Sequence, residues 1–440
     1  MKGIAIGFSD TSKEILKRLK KTEFINEIFI GSSSPKDKKI QDSVKFVKPR
    51  QILREKWEKL ELIIFVGSVG ASIRLINSLL SSKDKDPGVI VIDKKGSKII
   101  PIIGAHQSNI QNIAFQICNL FGGEIIETNN SIDQNYLNID SFGNQWGWKR
   151  SGDIKDWSKL VIKQSNKKEI FCSQLSGNNL WKTSEVGNTI TQLSDKDYEQ
   201  KKSIFHISIF DNHKNTWHPP TLWIGLGCER NTSKELIEDS LQSFLATNNL
   251  SPLSIAGFAT VDLKKDEKAI LEISKEKNLP IKFFTSEELS AINTPNPSNV
   301  VLNEIGTPSV AEAACMIAAG QGSKLLKEKK IFKSIDSSKS TFGAVTIAVS
   351  ESKNQYSPLT GEIHVVGSGP GDISYLTNDA RKALSKCSIW IGYKMYLDLI
   401  KPLKRKDQVM IESNLTEEKE RCEKAIKLAE EGIKVALISS

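Results

Sequence analysis

From residue 1 to about 130, short apolar runs alternate with stretches whose apolar positions recur every three or four residues. Gly3–Phe8, Ile28–Gly31, Leu62–Gly67, Val89–Asp93 and Glu124–Thr128 read as strands. Thr11–Lys21, Ile52–Leu60, Ala71–Ser82 and Ser108–Phe121 read as amphipathic helices. The alternation predicts a layered α/β domain over 1–130. Residues 131–220 break the rhythm, holding five of the eight tryptophans among Asn, Ser and Lys with little helical period. They predict short strands and loops, closing at Trp217-His-Pro-Pro220, where the prolines remove backbone donors. The α/β rhythm returns over 221–349. Leu222–Cys228 reads as a strand entering a glycine turn, and Thr232-Ser-Lys-Glu235 and Thr285-Ser-Glu-Glu288 read as capping boxes. The polar stretch 350–361 predicts a linker. A further α/β run follows over 362–440, ending on an apolar strand, Lys434–Ser440, with nothing after it to cover it. The expected fold class is α/β, several small α/β domains with a β/loop-rich middle segment.

A length of 440 residues, at about 150 per domain, agrees with this division. The net charge of +9 comes mainly from lysines spread among acids, with only nine arginines. That distribution argues against nucleic acid and fits a small polyanionic substrate. The six cysteines, Cys118, Cys172, Cys228, Cys315, Cys387 and Cys422, are widely spaced and read as reduced thiols. No apolar run is long enough to cross a bilayer and the N-terminus lacks a signal-peptide pattern, so a cytoplasmic protein without membrane contact is expected.

Three glycine-rich strand ends could carry chemistry. Val66-Gly-Ser-Val-Gly70 leads into a helix, whose free N–H groups could hold a carboxylate, with Arg74 one turn inside to add a bidentate contact. A plain structural turn explains the same residues. Gly225-Leu-Gly-Cys-Glu-Arg230 offers a second such turn, with Gly225 and Gly227 freeing the backbone and Arg230 pairing an anion. Cys228 beside it is either a thiol of lowered pKa or a small buried residue. Val366-Gly-Ser-Gly-Pro-Gly-Asp372 is the third. Among the five histidines His106 is the natural base, although a lone histidine also serves as a surface or capping residue. Glu312 is a candidate acid or base, or a solvated helix-face carboxylate, and Asp262 and Lys264 stand at a strand end as substrate-binding candidates. His206, His213 and His218 match no common zinc spacing, so no metal site is expected. The tryptophans could wall a macrocycle or simply pack.

Residues 362–440, through Gly369-Pro-Gly-Asp372, Leu376-Thr377, Ala383-Leu384 and Ile391-Gly-Tyr393, resemble the opening of the tetrapyrrole methyltransferases. Tyr393-Lys-Met-Tyr-Leu397 and 425–440 narrow this to the precorrin-3B C-17-methyltransferase branch. The resemblance implies S-adenosylmethionine beside Gly367, Gly369, Pro370, Gly371, Asp372, Gly392 and Tyr393, in a cleft between two α/β lobes. It ends at Ser440, where the family continues. The expectation is therefore a partial methyltransferase lobe that methylates nothing alone and takes as partner a polypeptide carrying the rest, or other corrin-pathway enzymes.

Most of residues 1–349 resemble cobalt-precorrin-5A hydrolase of cobalamin biosynthesis. The likeness rests on Val66–Ala71, Ile73–Ile76, Asp86–Val89, Ile99–Ile103 and His106, then on Gly225–Arg230, Thr260–Lys264, Glu267 and Gly306–Ala314. It implies hydrolysis of a ring lactone on a tetrapyrrole, with release of acetaldehyde and no cofactor. Gln107–Gln111 departs from the family's glycine-rich segment after the histidine. A non-catalytic tetrapyrrole-binding or channelling protein, or a truncated product with an inactive methyltransferase part, is the alternative.

Overall fold

The computed structural model describes residues 2–31, 45–81, 85–104, 108–126, 136–193, 203–334 and 341–439. The chain divides into two compact units, Met1–Asn130 and Ser131–Ser440.

In the first unit, strands β1 (Gly3–Gly7), β2 (Glu27–Gly31), β3 (Lys45–Val47), β4 (Leu62–Val66), β5 (Gly88–Ile92), β6 (Lys98–Ile103) and β7 (Glu124–Ile125) form one sheet in the order β3-β2-β1-β4-β5-β6-β7. All neighbours are parallel except β5 and β6. β1, β4 and β5 are buried along their whole length, as continuous apolar runs covered on both faces must be. Helices α1 (Lys13–Lys20) and α4 (Ser108–Phe121) cover one face, and α2 (Pro49–Lys56) and α3 (Val69–Ile76) the other. The chain leaves β1 toward β2 but leaves β4 toward β5, so the direction of winding reverses between β1 and β4.

The second unit holds three sheets. Strands β8 (Lys149–Ser151), β9 (Phe171–Gln174), β10 (Thr191–Gln192), β11 (Ile204–Ile207) and β12 (Thr216–His218) pair in the order β10-β9-β11-β12-β8, with helix α5 (Ile154–Ser165) packed beside them. This helix is not foreseen in a loop-rich reading. Asp153 caps it through Lys155 N at 2.6 Å, and Trp157, Leu160 and Gln164 make its buried stripe among surface lysines.

Strands β13 (Leu222–Cys228), β14 (Ile255–Val261), β15 (Ile281–Phe284), β16 (Lys324–Lys333) and β17 (Ala344–Glu351) follow in the order β15-β14-β13-β17-β16. Helices α6 (Lys234–Thr247) and α7 (Lys268–Lys277) pack on one face. On the other lies α10 (Val310–Ala319), preceded by the short α8 (Ser286–Ser290) and α9 (Asn299–Ile305).

Strands β18 (Glu362–Gly367), β19 (Ile389–Tyr393), β20 (Val409–Ser413) and β21 (Lys434–Ser439) form a parallel sheet in the order β18-β21-β19-β20. The last apolar strand is thus covered, contrary to expectation, because it inserts between β18 and β19. Helices α11 (Asn378–Lys386) and α12 (Lys394–Ile400) cover one face. α13 (Glu418–Glu430) shares the other with the tryptophan-rich segment, whose Phe142, Trp146, Trp181 and Trp217 join Ile389, Ile391, Val435 and Leu428 in one core. The indoles are packing residues, not a wall for a macrocycle. Four of the five N–H groups are satisfied internally: Trp217 donates to Ile139 O at 2.9 Å, Trp157 to Ser151 O at 2.8 Å, Trp181 to Gln174 Oε1 at 3.0 Å and Trp148 to Gln355 Oε1 at 2.7 Å.

The stretch 350–361 is pinned where a free linker is expected. Gln355 is 2% exposed, accepts from Trp148 Nε1 at 2.7 Å and donates to Trp146 O at 2.5 Å and Glu431 O at 2.7 Å. One buried amide thereby ties the connector to both sides of the shared core.

Candidate functional site

Open α/β sheets place ligands beyond the carboxyl ends of their strands, where the winding reverses. In the first unit that position lies between the ends of β1 and β4. There the Phe8 ring stacks on Phe65 with centroids 5.7 Å apart and covers Gly67, where a Cβ would sit 2.2 Å from the Phe8 ring. Gly67 is a packing requirement of that turn. Ser68 caps α3 by accepting from Ala71 N at 3.3 Å, which leaves the N–H groups of Val69 and Gly70 in the first turn, beyond reach of any intrahelical carbonyl. Arg74 is exposed, its Nη1 about one turn from Gly70 at 4.0 Å from the position of a Cβ there. His106 lies outside the described residues. Ile103, just before it, pairs with Val89 near the start of β5, whereas Gly67 follows the far end of β4.

In the second unit Gly225 and Gly227 belong to β13 itself and form no anion-holding turn. At Gly225 a Cβ would lie 1.8 Å from Ala311 O, so glycine is required there for α10 to seat on the sheet. The polar groups gather one step further on, where β13 and β14 end. Glu267, 4% exposed, accepts from Asn231 N at 3.1 Å. Its Oε2 lies 3.7 Å from Lys264 Nζ and 3.8 Å from Arg230 Nη1. Arg230 is half exposed and already engaged, donating to Asp266 Oδ1 at 2.5 Å and to Leu263 O at 2.7 Å. Asn231 holds φ at +59°, a left-handed conformation uncommon outside glycine. Asp262 is half-buried at the end of β14. Burial pushes the Cys228 thiol up to about 11, so the lowered pKa suggested by a glycine turn does not arise. Sequence reasoning placed Glu267 within a motif and gave it no role. Its position, last before α7 and opposite Arg230, is set by the sheet.

Glu312 is fully buried on the other face. Its Oε1 accepts from Asn296 Nδ2 at 2.9 Å and Lys329 N at 3.0 Å, and its Oε2 from Ser309 Oγ at 3.1 Å. A solvated or freely reacting carboxylate is not what the residue provides. It clamps the loop before α9 and strand β16 to the start of α10.

The glycine loop after β18 has a different character. Gly369 and Gly371 sit at φ +69° and +111°, and a Cβ at Gly367, Gly369 or Gly371 would meet nothing within 4 Å. Ser368 N donates to Ser439 O at 2.9 Å, fixing the loop to β21. The Asp372 carboxylate accepts from Ser374 N at 2.7 Å, and that backbone bond holds it below the usual range. Pro370, exposed, stiffens the loop between its two left-handed glycines. Gly392 is not part of an open loop. It lies within β19, where a Cβ would sit 2.9 Å from Ile438 Cβ. Tyr393 ends β19 and lines an open cleft of about 680 Å³ with Met395, Asp398, Glu412, Asn414 and Glu417. Because the strands are parallel, loop and cleft lie on the same edge of the sheet.

His206 and His213 stack with centroids 4.2 Å apart, and His218 is taken up by Ser151 Oγ at 2.7 Å and Ser208 O at 2.8 Å. Among the described residues no cluster of His, Cys, Asp and Glu could hold a metal, and no helix is long and apolar enough to cross a membrane.

Comparison with known proteins draws these regions together. Residues 51–131 match the family described as Cobalamin synthesis G N-terminal, residues 222–350 Cobalamin synthesis G C-terminus, and residues 362–440 Tetrapyrrole (Corrin/Porphyrin) Methylases. The cobalt-precorrin-5A hydrolase of Priestia megaterium is 28% identical over 298 residues, 64% of this chain and 79% of that protein. Protein CobE of a Sinorhizobium species is 32% identical over 110 residues, 24% of this chain and 71% of that protein. The cobalt-factor III methyltransferase of Priestia megaterium is 42% identical over 82 residues, 19% of this chain but 15% of that protein, so the chain spans a small part of that relative. The chain belongs to the cobalamin synthesis G family, with that family's N- and C-terminal domains followed by a tetrapyrrole methylase domain.

Proposed function

We propose that the chain hydrolyses the ring lactone of a cobalt-precorrin-5A-like macrocycle and releases acetaldehyde. The observation that carries this reading is the match to a cobalt-precorrin-5A hydrolase across both cobalamin synthesis G domains, whose strand-end motifs carry Arg74 in one unit and Arg230 in the other. A guanidinium at each site suits a substrate edged with carboxylates. Water adds to the lactone carbonyl, the ring C–O bond breaks, and the proton lost by the water passes to the departing oxygen. The hydroxyl so formed then gives up its proton as its C–O bond becomes the carbonyl of acetaldehyde, the C–C bond joining that two-carbon fragment to the macrocycle breaks, and the electron pair left on the macrocycle takes up a proton. His106 is the proposed carrier of the proton taken from water, Arg74 is a proposed carboxylate-binding group of the first unit, and Arg230 is one of the second. Asp262 and Lys264 support the second anchoring point. Turnover in heavy-oxygen water tests the step. Hydrolysis at the acyl carbon puts the label in the new carboxylate, and unlabelled product refutes it. Retained turnover in His106→Ala removes that residue alone.

The glycine loop fits S-adenosylmethionine, because its three glycines leave backbone open to a ligand where side chains would fill the space. Bound there, the cofactor supplies an electrophilic methyl group. Gly367, Gly369, Pro370 and Gly371 line its approach, Asp372 keeps a charged carboxylate beside it, and Tyr393 stands on the same edge. The cytoplasm is the proposed site of action.

A further inference from the structure

We propose that Asp266 is an internal stand-in for a substrate carboxylate, occupying the Arg230 fork until a macrocycle side chain displaces it. The inference rests on the tetrapyrrole reading above and names a competitor built into the anchoring site.

Arg230 is fixed on one side and loosely held on the other. Its Nη2 is spent on Leu263 O, a backbone group that cannot leave, and Glu267 lies buried behind it at 3.8 Å. Glu267 is in turn tied to Asn231 N and to Lys264, itself 6% exposed. The guanidinium thus has a rigid base joining the turns after β13 and β14. Its remaining strong partner among the described residues is Asp266, whose side chain is 74% exposed on the turn before α7. An exposed pair of this kind contributes little to folding and is broken readily. A substrate carboxylate gains the same Nη1 contact that Asp266 makes and brings further anchoring groups with it, so exchange is favourable. The location is the carboxyl end of adjacent parallel strands, the edge where α/β sheets take ligands.

The test is binding of the carboxylate-rich porphyrin uroporphyrin III to the full chain, followed by quenching of tryptophan emission. Asp266→Asn tightens binding about two- to fivefold, the range of one exposed ion pair. Asp266→Glu keeps the wild-type affinity. Asp239→Asn, which makes the same charge change on exposed α6, leaves it unchanged. Arg230→Gln weakens binding, and in that background Asp266→Asn has no effect, because the competitor no longer has a fork to occupy. Equal or weaker binding by Asp266→Asn, or the same gain with and without Arg230, overturns the proposal. Wild-type protein that binds in this pattern yet opens no lactone keeps the gated site and loses the hydrolase reading. A working hydrolase indifferent to Asp266→Asn does the reverse.

Discussion

At Gly225 a methyl group would lie 1.8 Å from a backbone oxygen of α10, whereas at Gly367, Gly369 and Gly371 it would meet nothing within 4 Å. Both segments follow apolar runs and both read as strand-to-loop turns. The first is closed: its glycine lets a helix sit down on the sheet, and the polar chemistry is displaced to Arg230, Lys264 and Glu267 beyond the strand. The second is open, with its glycines in the loop itself and two of them left-handed. A glycine therefore marks either a neighbour pressed against the backbone or a place kept free for one, and only the packing on the strand's flank distinguishes them.

The sharpest contrast lies beneath the open edge. The methylase sheet stays rigid because the tryptophan-rich segment closes its underside, so Trp217→Ala should cost about 3–5 kcal/mol and red-shift the remaining emission. An undiminished unfolding midpoint would separate the two segments. Next, Gly225→Ala should cost about 3 kcal/mol or more in denaturant unfolding, because backbone must move to admit it. Gly369→Ala, at φ +69°, should cost roughly 1–2 kcal/mol through strain alone. Gly367→Ala should leave stability within about 0.5 kcal/mol while weakening S-adenosylmethionine binding in calorimetry. If Gly225→Ala proves as mild as Gly367→Ala, the distinction between closed and open strand ends fails.

A smaller effect probes the closed side again. Burial raises the Glu431 pKa above its ordinary 4.5, although Asn178 Nδ2 donates to it at 2.6 Å. A carboxylate raised on folding costs nothing below pH 4.5. The cost builds as pH rises from there through the raised value, and it is fully present above. Glu431→Gln keeps an acceptor for Asn178 and should raise the thermal midpoint by about 2 °C at pH 7, with no gain at pH 4. An equal shift at both values would place its origin elsewhere.

Much of the layering was legible because β1, β4, β5, β13 and β14 are unbroken apolar runs with amphipathic helices between them. The edge strand Lys324–Lys333 was not, because its lysines hide the apolar alternation. α5 was hidden for a similar reason. The shared core was beyond sequence reasoning, since it joins Trp146 and Trp217 to Ile389 and Val435 across long separations and no local pattern reports which faces meet. For the candidate sites, the motifs pointed to strand ends, where the structure gives several of the named residues packing or clamping roles. Gly225 and Gly392 pack, Glu312 clamps, and Glu267 and Asp266 emerge only when the β13 and β14 turns are seen side by side.

Lactone opening is the activity proposed for the cobalamin synthesis G domains. Purified full-length chain incubated with cobalt-precorrin-5A, with acetaldehyde followed by its reduction in a coupled dehydrogenase assay, measures it directly. One acetaldehyde per macrocycle consumed, with a raised KM in Arg230→Gln, is the predicted result. Folded protein that consumes no macrocycle and yields no acetaldehyde would contradict it.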